Sequence, residues 1–272
     1  MKMLKVLLLL SVFLGVVFFV MADNESAPNR VKISFKVIEY GDKEKFSGYL
    51  VSTEETKPMT PAVLIVHNWM GVSEETKKQA NRYAGLGYIV FAMDVYGKDV
   101  HPKDAKEAGA LSSKYKSDRK LFRERLNLGL EELKKQKNVD PNRIAVAGFC
   151  FGGTAAIELA RSGAPVIGAI SFHGGLDSPN PDDGKNIKGK VLALCGAIDP
   201  YVPAKDIEAF EAEMNTHKVD YQIVRYGGAV HSFTDEGAGS DISKGAAYNR
   251  AADVRSFNAA QIFLSEIFNA KK

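Results

Sequence analysis

The sequence predicts an α/β fold in which a mostly parallel β-sheet has helices on both faces and an antiparallel N-terminal edge. Two observations predict it. Short apolar runs typical of buried strands recur six times, and segments with a helical apolar period lie between them. Sustained alternation of this kind is typical of a parallel sheet that helices cover on both sides.

The predicted elements follow in chain order. Val31–Ile38 and Phe46–Val51 alternate apolar and polar residues, which predicts a hairpin across Gly41 and Asp42 at the edge of the sheet. The apolar runs that predict buried strands are Ala62–Val66, Tyr88–Met93, Ile144–Ala147, Val166–Phe172, Val191–Cys195 and Tyr221–Val224. The segments with helical periodicity are Ser73–Ala84, Ser117–Lys135, Gly152–Arg161, Ala204–Asn215 and Ala246–Phe268.

The N-terminal segment has the composition of a secretory signal peptide. Lys2 and Lys5 precede an apolar run from Val6 to Val20, and the small residue Ala22 ends it. The alternative is an uncleaved membrane anchor, for which this run is short. We therefore expect cleavage of residues 1–22, export to a periplasm or beyond, no stable membrane association after cleavage, and a single α/β domain over residues 23–272.

Composition excludes several classes of function. Loss of the signal peptide removes two lysines, so the formal charge falls from +3 to +1, and nothing indicates a nucleic-acid surface. The chain has only two cysteines, Cys150 and Cys195, and no Cys-x-x-Cys pair, so zinc-ligand spacing is absent. We expect no metal, no cofactor and a monomer. Cys195 ends an apolar strand and is expected to be buried, although a disulfide with Cys150 stays open as an alternative.

Reactive side chains cluster just after the predicted strands. In open α/β sheets ligands bind outside the carboxyl ends of the strands, so these positions are the candidates for a site. They are His67, Asn68, Trp69, Asp94, Cys150, His173, Asp199 and His231.

The segment Gly148–Gly152 predicts a nucleophile elbow. It follows a strand and opens a helix, which is the context of the Gly-x-Ser-x-Gly turn, with the sulfur of Cys150 in place of the hydroxyl. The glycines leave room that side chains would fill, and the helix start favours the thiolate. We expect an oxyanion hole from the backbone N–H groups of Phe151 and Trp69. The alternative is that Cys150 is a small packed residue.

A base and an acid follow the nucleophile in the order that this turn requires. His231 lies beyond the last predicted strand, and Asp199 ends the strand before it, so they are the expected base and orienting acid. His173 precedes the good acid candidates, and His217 is expected to be solvated. Asp199 could instead cap the helix that begins near Pro203.

These segments together resemble the dienelactone hydrolase family of α/β-hydrolases. The resemblance rests on His67–Val72, Gly148–Gly153, Gly196–Pro203 and His231–Phe233. It implies an α/β-hydrolase fold and a carboxymethylenebutenolidase-like ester hydrolase. It also implies that a Cys150–His231–Asp199 triad opens a small ester or lactone through an acyl-thioester.

Two positions depart from that family's pattern. Asn68 stands where its best-known members have a glutamate that contacts the resting cysteine, and Asp235 stands where dienelactone-cleaving members have a carboxylate-binding arginine. An aspartate repels an anionic substrate, so we expect a neutral or cationic one. The expected substrate-binding residues are Asn68, Trp69, Tyr96, His173 and Asp235.

Two further classes of function stay open at this point. The chain could be a non-catalytic binding protein on the same fold, or a protein that uses Cys150 as a reactive thiol for acyl transfer without hydrolysis.

Overall fold

The computed structural model describes residues 32–270, so the predicted signal peptide lies outside the described residues. Within them, the strands are β1 (Ile33–Tyr40), β2 (Phe46–Thr53), β3 (Thr60–Val66), β4 (Ile89–Met93), β5 (Val139–Phe149), β6 (Gly168–Phe172), β7 (Lys190–Gly196) and β8 (Tyr221–Tyr226). The α-helices are α1 (Glu74–Ala84), α2 (Ala105–Ser117), α3 (Arg119–Lys134), α4 (Phe151–Arg161), α5 (Ala204–Thr216) and α6 (Arg250–Asn269).

The described strands form one sheet in the order β1-β2-β4-β3-β5-β6-β7-β8. β1 pairs antiparallel with β2, and β2 pairs antiparallel with β4. The pairs from β4 through β3 to β8 are all parallel. The predicted fold class, with its antiparallel N-terminal edge, is therefore confirmed.

Both faces of the sheet are buried, which explains why its central strands read as continuous apolar runs. On one face Ala145 and Ala147 of β5 pack in the same cluster as Tyr83 of α1 and Leu264 of α6. On the other face, Ile144 and Val146 of β5 belong to the cluster that includes side chains of α3 and α4. The helix α5 packs on β7 beside α4.

The helices begin at side-chain caps that the sequence contains. Ser73, Asp104, Asp118 and Asn249 each accept a hydrogen bond from a backbone N–H of the first turn of α1, α2, α3 and α6 respectively. The cap at Asn249 explains why α6 begins at Arg250 and not at the predicted Ala246.

The helix α2 is an element that the sequence pattern does not predict. Of its thirteen residues only Ala108 and Tyr115 are buried, so its apolar periodicity is too weak to predict a helix. This helix matters for the site because its C-terminal turn reaches the edge where the parallel strands end.

Among the residues described, no helix has both the length and the apolar character that crossing a membrane requires.

Candidate active site

The nucleophile candidate Cys150 lies between β5 and α4 in a strained backbone conformation. Its φ of 56° and ψ of −115° belong to a region that residues other than glycine rarely adopt. A Cβ on Gly148 would lie 1.8 Å from the carbonyl oxygen of Gly152, and one on Gly152 would lie 2.1 Å from that of Val66. The glycines are therefore needed for the turn to close, as the sequence predicts.

Cys150, His231 and Asp199 form a hydrogen-bonded chain. The Sγ of Cys150 lies 3.0 Å from Nε2 of His231, and Nδ1 of His231 lies 2.9 Å from Oδ2 of Asp199. The other carboxylate oxygen of Asp199 accepts the backbone N–H of Tyr201 at 2.8 Å. The structure thus brings together the three residues that the sequence selects, with the acid fixed on both of its oxygens.

The charges in this chain favour a thiolate beside an imidazolium. Burial alone would raise the pKa of the Cys150 thiol, but the hydrogen bond and charge of His231 outweigh burial and lower it. The N–H of Phe151 and the charge of Lys116 lower it further. Burial would likewise lower the pKa of His231, yet hydrogen bonds to Asp199 and Cys150 raise it to about 10. The proton that the Cys150 thiol and the His231 imidazole share is therefore held on His231.

Of the two expected oxyanion donors, the N–H of Phe151 lies at the sulfur, and Trp69 lies in the wall of the cavity that Cys150 lines. The N–H of Phe151 donates to the sulfur of Cys150, because it is the first N–H of α4. The loop that carries Trp69 is held in place by Tyr96, whose hydroxyl donates to the Trp69 carbonyl at 3.0 Å. Trp69 itself lines the cavity beside Cys150 and is 36% exposed.

A cavity of about 440 Å³ opens over the sulfur. That volume is within the range of small-molecule sites. Its lining residues include Trp69, Cys150, Phe151, Tyr201 and His231. The ring of Tyr201, 60% exposed, stands edge-on to that of His231 with centroids 5.1 Å apart.

A second, much smaller cavity of about 30 Å³ also adjoins Cys150. It has room for about one water molecule. Asn68, Glu75 and Asp235 line it. The side-chain oxygen of Asn68 accepts the N–H of Met70 at 2.9 Å, so it stabilises its own turn. Burial raises the pKa of Glu75, and the charge of Asp235 adds to that rise, against a hydrogen bond from Gln79.

Two of the expected substrate-binding residues, Tyr96 and His173, are almost fully buried. Tyr96 is 2% exposed and packs its ring against Phe151 and His67, behind the cavity wall. His173 is 2% exposed, and both of its ring nitrogens are hydrogen-bonded within the protein. Tyr96 therefore supports the cavity wall from behind, whereas His173 lines the smaller cavity beside Cys150.

Two residues of the cavity wall were not predicted from the sequence. Lys116, on α2, lines the cavity with Cys150, and nothing in the helix's weak pattern marks its direction. Thr154, on α4, lines it too, and its buried hydroxyl has no hydrogen-bond partner among the residues that the structure describes. The proximity of Thr154 could have been read from its place one helical turn after Cys150.

The remaining reactive groups are accounted for. Cys150 and Cys195 are both free thiols, and Cys195 is 1% exposed, so the expectation of a buried Cys195 is confirmed. Within the part of the chain that the structure describes, no group of three His, Cys, Asp or Glu side chains is arranged to hold a metal.

Comparisons with known proteins match this architecture. The model of the dienelactone hydrolase family matches residues 46–268. A solved structure called m3DLH superposes with a TM-score of 0.84 at 35% identity, covering 87% of this chain and 99% of that one.

Two further proteins extend the comparison. A dienelactone hydrolase-like promiscuous phosphotriesterase from metagenomic libraries has a TM-score of 0.83 at 35% identity, over 88% of this chain and 100% of that one. A protein of Aquifex aeolicus, provisionally assigned as a carboxymethylenebutenolidase, is 26% identical over 71% of this chain and 83% of that protein.

Proposed function

Because this chain belongs to the dienelactone hydrolase family, we propose that it cleaves a small carboxylic ester or lactone with Cys150 as its nucleophile. It is a hydrolase of the dienelactone hydrolase type. The observation that carries the proposal is the distance of 3.0 Å between the sulfur of Cys150 and Nε2 of His231. A thiol at this distance from a raised-pKa imidazole is an activated nucleophile.

In the first step the thiolate of Cys150 attacks the carbonyl carbon of the ester. The new S–C bond forms while the carbonyl electron pair moves to oxygen, and the N–H groups of Phe151 and Trp69 stabilise that oxyanion. The C–O bond then breaks, and the leaving oxygen takes the Nε2 proton of His231. With an ester, an alcohol departs. With a lactone, the new hydroxyl group remains part of the opened acyl chain. In both cases an acyl-thioester is left on Cys150.

In the second step neutral His231 accepts a proton from water, and the hydroxide attacks the thioester carbonyl. The C–S bond breaks, the thiolate returns, and the imidazolium is restored beside it. Asp199 accepts the Nδ1–H of His231 throughout, which keeps Nε2 directed at the sulfur and stabilises the positive ring.

One comparison favours a second substrate class. The similar phosphotriesterase has 35% identity over its whole length. A neutral phosphotriester presents an electrophilic phosphorus and a polar P=O to the same thiolate and the same N–H donors. An aryl dialkyl phosphate is therefore a second substrate to assay, with release of the aryl oxide as the measurement.

The test compares wild type with Cys150→Ala and Cys195→Ala on 4-nitrophenyl acetate, 4-nitrophenyl butyrate and a panel of simple lactones. We expect turnover in wild type and in Cys195→Ala, and at least a thousandfold loss in Cys150→Ala. Mass spectrometry of rapidly quenched wild type should show one acyl group on the peptide that contains Cys150.

Other outcomes would favour the alternatives. An acyl adduct without turnover would favour acyl transfer. No adduct and no turnover across the panel would favour a binding protein. Turnover that Cys150→Ala retains would refute the nucleophile. Cys195→Ala is the matched control because it removes the other thiol, which is buried away from the cavity.

Export of the mature protein is part of the same proposal and rests on the composition of residues 1–22. Expression of the full chain with fractionation, followed by N-terminal sequencing, tests it. A mature chain that begins at Asp23 outside the cytoplasm supports export. Full-length protein in the cytoplasmic fraction would oppose it.

A further inference from the structure

We propose that His173 is a positioning residue: through Thr234 it ties the nucleophile turn to the loop of His231 and so sets the Cys150–His231 distance. The inference rests on the proposed nucleophilic role of Cys150. It concerns a side chain that is hydrogen-bonded to the backbone of Cys150 and not to its sulfur, and it assigns a role to a buried histidine that the reaction steps do not use.

The first observation is a hydrogen bond to the backbone of the nucleophile. The N–H of Cys150 lies 3.1 Å from Nδ1 of His173, and it also reaches the carbonyl oxygen of Phe172 at 3.0 Å. A backbone N–H can only donate, so Nδ1 must be the acceptor and carries no proton. The imidazole therefore fastens the strained Cys150 residue at its own amide.

The second observation fixes the other end of the ring. Nε2 of His173 lies 2.8 Å from Oγ1 of Thr234, across 61 positions of sequence. Because Nδ1 accepts, the single proton of the neutral ring sits on Nε2 and donates to the Thr234 hydroxyl. Burial, and then the charge of His231, hold the pKa of His173 well below its usual value, so the neutral form persists.

The third observation concerns the base itself. Thr234 lies three residues after His231, so the link holds the segment that carries the base. The rings of His173 and His231 also pack edge to face, with centroids 5.2 Å apart and planes at 65°. His173 therefore contacts the amide of the nucleophile, the ring of the base and the loop that carries it.

The backbone at His173 is itself unusual and fits this role. Its φ of +40° lies in the left-handed region, and its N–H donates to the carbonyl of Leu194 at 2.8 Å. Such a conformation is unfavourable for a residue with a Cβ. In it the side chain of His173 reaches the N–H of Cys150.

The distance between Cys150 and His231 can be followed through the reactivity of the thiol, because the imidazolium stabilises the thiolate. The charged and titratable groups that act on Cys150 are His231, Lys116 and Tyr96, with Asp199 behind His231. Changes at His173 or Thr234 leave all of them in place. A shift in the reactivity of the thiol would therefore report the Cys150–His231 geometry and not the loss of a charge.

The test uses four variants of the full mature protein, each measured for kcat, KM and the pH dependence of iodoacetamide alkylation at Cys150. His173→Asn keeps an acceptor for the Cys150 N–H and tolerates the left-handed backbone, but it is too short to reach Thr234. Thr234→Val removes the hydroxyl without changing size, and Thr234→Ser keeps it. His217→Asn, at the end of α5, is the matched control for loss of a histidine.

We expect His173→Asn and Thr234→Val each to lower kcat about tenfold with KM within about twofold. The alkylation midpoint should move up by about half a pH unit in both. Thr234→Ser and His217→Asn should match wild type. In the double variant, Thr234→Val should add nothing to His173→Asn, because both remove the same link.

Several results would overturn the inference. Wild-type kcat and alkylation midpoint in both His173→Asn and Thr234→Val would do so, as would additive losses in the double variant. A lower melting temperature with an unmoved midpoint would make His173 only a packing residue. If His173→Asn does not fold, the comparison of Thr234→Val with Thr234→Ser carries the same test. Failure of the proposed function looks different, since wild type would then show no acylation at Cys150.

Discussion

The sulfur of Cys150 and Nε2 of His231 lie 3.0 Å apart although 81 positions separate them in the chain. Their pKa values move in opposite directions, downward for the thiol and upward to about 10 for the imidazole. A thiolate exists above the thiol pKa and an imidazolium below the imidazole pKa. The reactive pair is therefore expected between these two pKa values.

Iodoacetamide kinetics at Cys150 check this ionisation. The alkylation rate should fall as the pH drops through a midpoint below the value of about 8.5 for a free thiol. His231→Gln should move that midpoint up by more than one pH unit. Cys195 is an internal control that should not react, because burial raises its pKa to about 12. A wild-type midpoint at or above that of a free thiol would contradict the ion pair.

Asp199→Asn should leave the shape of the site intact and remove the negative charge beside His231. The amide would place an N–H₂ or a neutral oxygen opposite Nδ1 of His231, so the imidazolium would lose its partner. We expect kcat to fall about a hundredfold or more, with KM within about threefold, as is usual when the orienting acid of a triad is neutralised. Asp206→Asn, in the first turn of α5, is the control that should keep wild-type kcat. A loss below fivefold would mean that catalysis does not depend on the charge of Asp199.

The sheet could be predicted from the sequence because its central strands are buried on both faces and read as unbroken apolar runs. The triad candidates could be predicted for a related reason. Cys150, Asp199 and His231 each follow a strand, and parallel strands end at one edge.

Other parts of the site depend on contacts that local patterns do not encode. Lys116 lies on a helix with only two buried residues, so neither the helix nor its direction was predictable. The role inferred for His173 depends on a left-handed backbone and on a partner 61 positions away. The sequence marked His173 only as a residue at a strand end, which explains why a substrate-binding role was expected.

Gly148→Ala should destabilise the protein severely. Its Cβ would lie 1.8 Å from the carbonyl oxygen of Gly152, and backbone cannot move aside cheaply inside a helix start. We expect a loss of about 3 kcal/mol or more in the free energy of unfolding, measured by urea titration. Gly227→Ala is the matched control, because a Cβ there meets nothing within 4 Å, and it should change stability by less than about 1 kcal/mol. Equal midpoints in urea would refute the steric account of the elbow.

Arg161, the last residue of α4, lies at the centre of a buried ionic cluster. It is fully buried and binds Glu158 at 2.9 Å and both carboxylate oxygens of Glu213, at 2.9 and 2.5 Å. Arg161→Met would leave Glu213 without its cation in the core, whereas Glu158 keeps its ion pair with Arg123. We expect about 3 to 5 kcal/mol of lost stability. The exposed pair of Lys134 with Glu131 provides the control: Lys134→Met should cost under about 1 kcal/mol. Similar effects of the two variants would show that Glu213 finds another partner.

Lys116 should set the preference of the cavity for substrate charge. It lines the cavity with Cys150 and with the unpaired hydroxyl of Thr154, and among the described residues it forms no ion pair. A substrate carboxylate at the far end of the acyl chain could therefore meet a cation there, although Asp235 lines the smaller cavity beside Cys150. This differs from the neutral or cationic substrate that the position of Asp235 suggests.

The measurement is a ratio of two substrates. Lys116→Gln should lower kcat/KM for the 4-nitrophenyl monoester of glutaric acid about fivefold relative to 4-nitrophenyl pentanoate, which is the contribution of about 1 kcal/mol expected for one exposed ion pair. The ratio cancels the effect of Lys116 on the thiol pKa, since both esters meet the same thiolate. Lys106→Gln, on the same helix outside the cavity, should leave the ratio unchanged. An unchanged ratio in Lys116→Gln would mean that the acyl chain does not reach α2, and the neutral-substrate expectation would then stand.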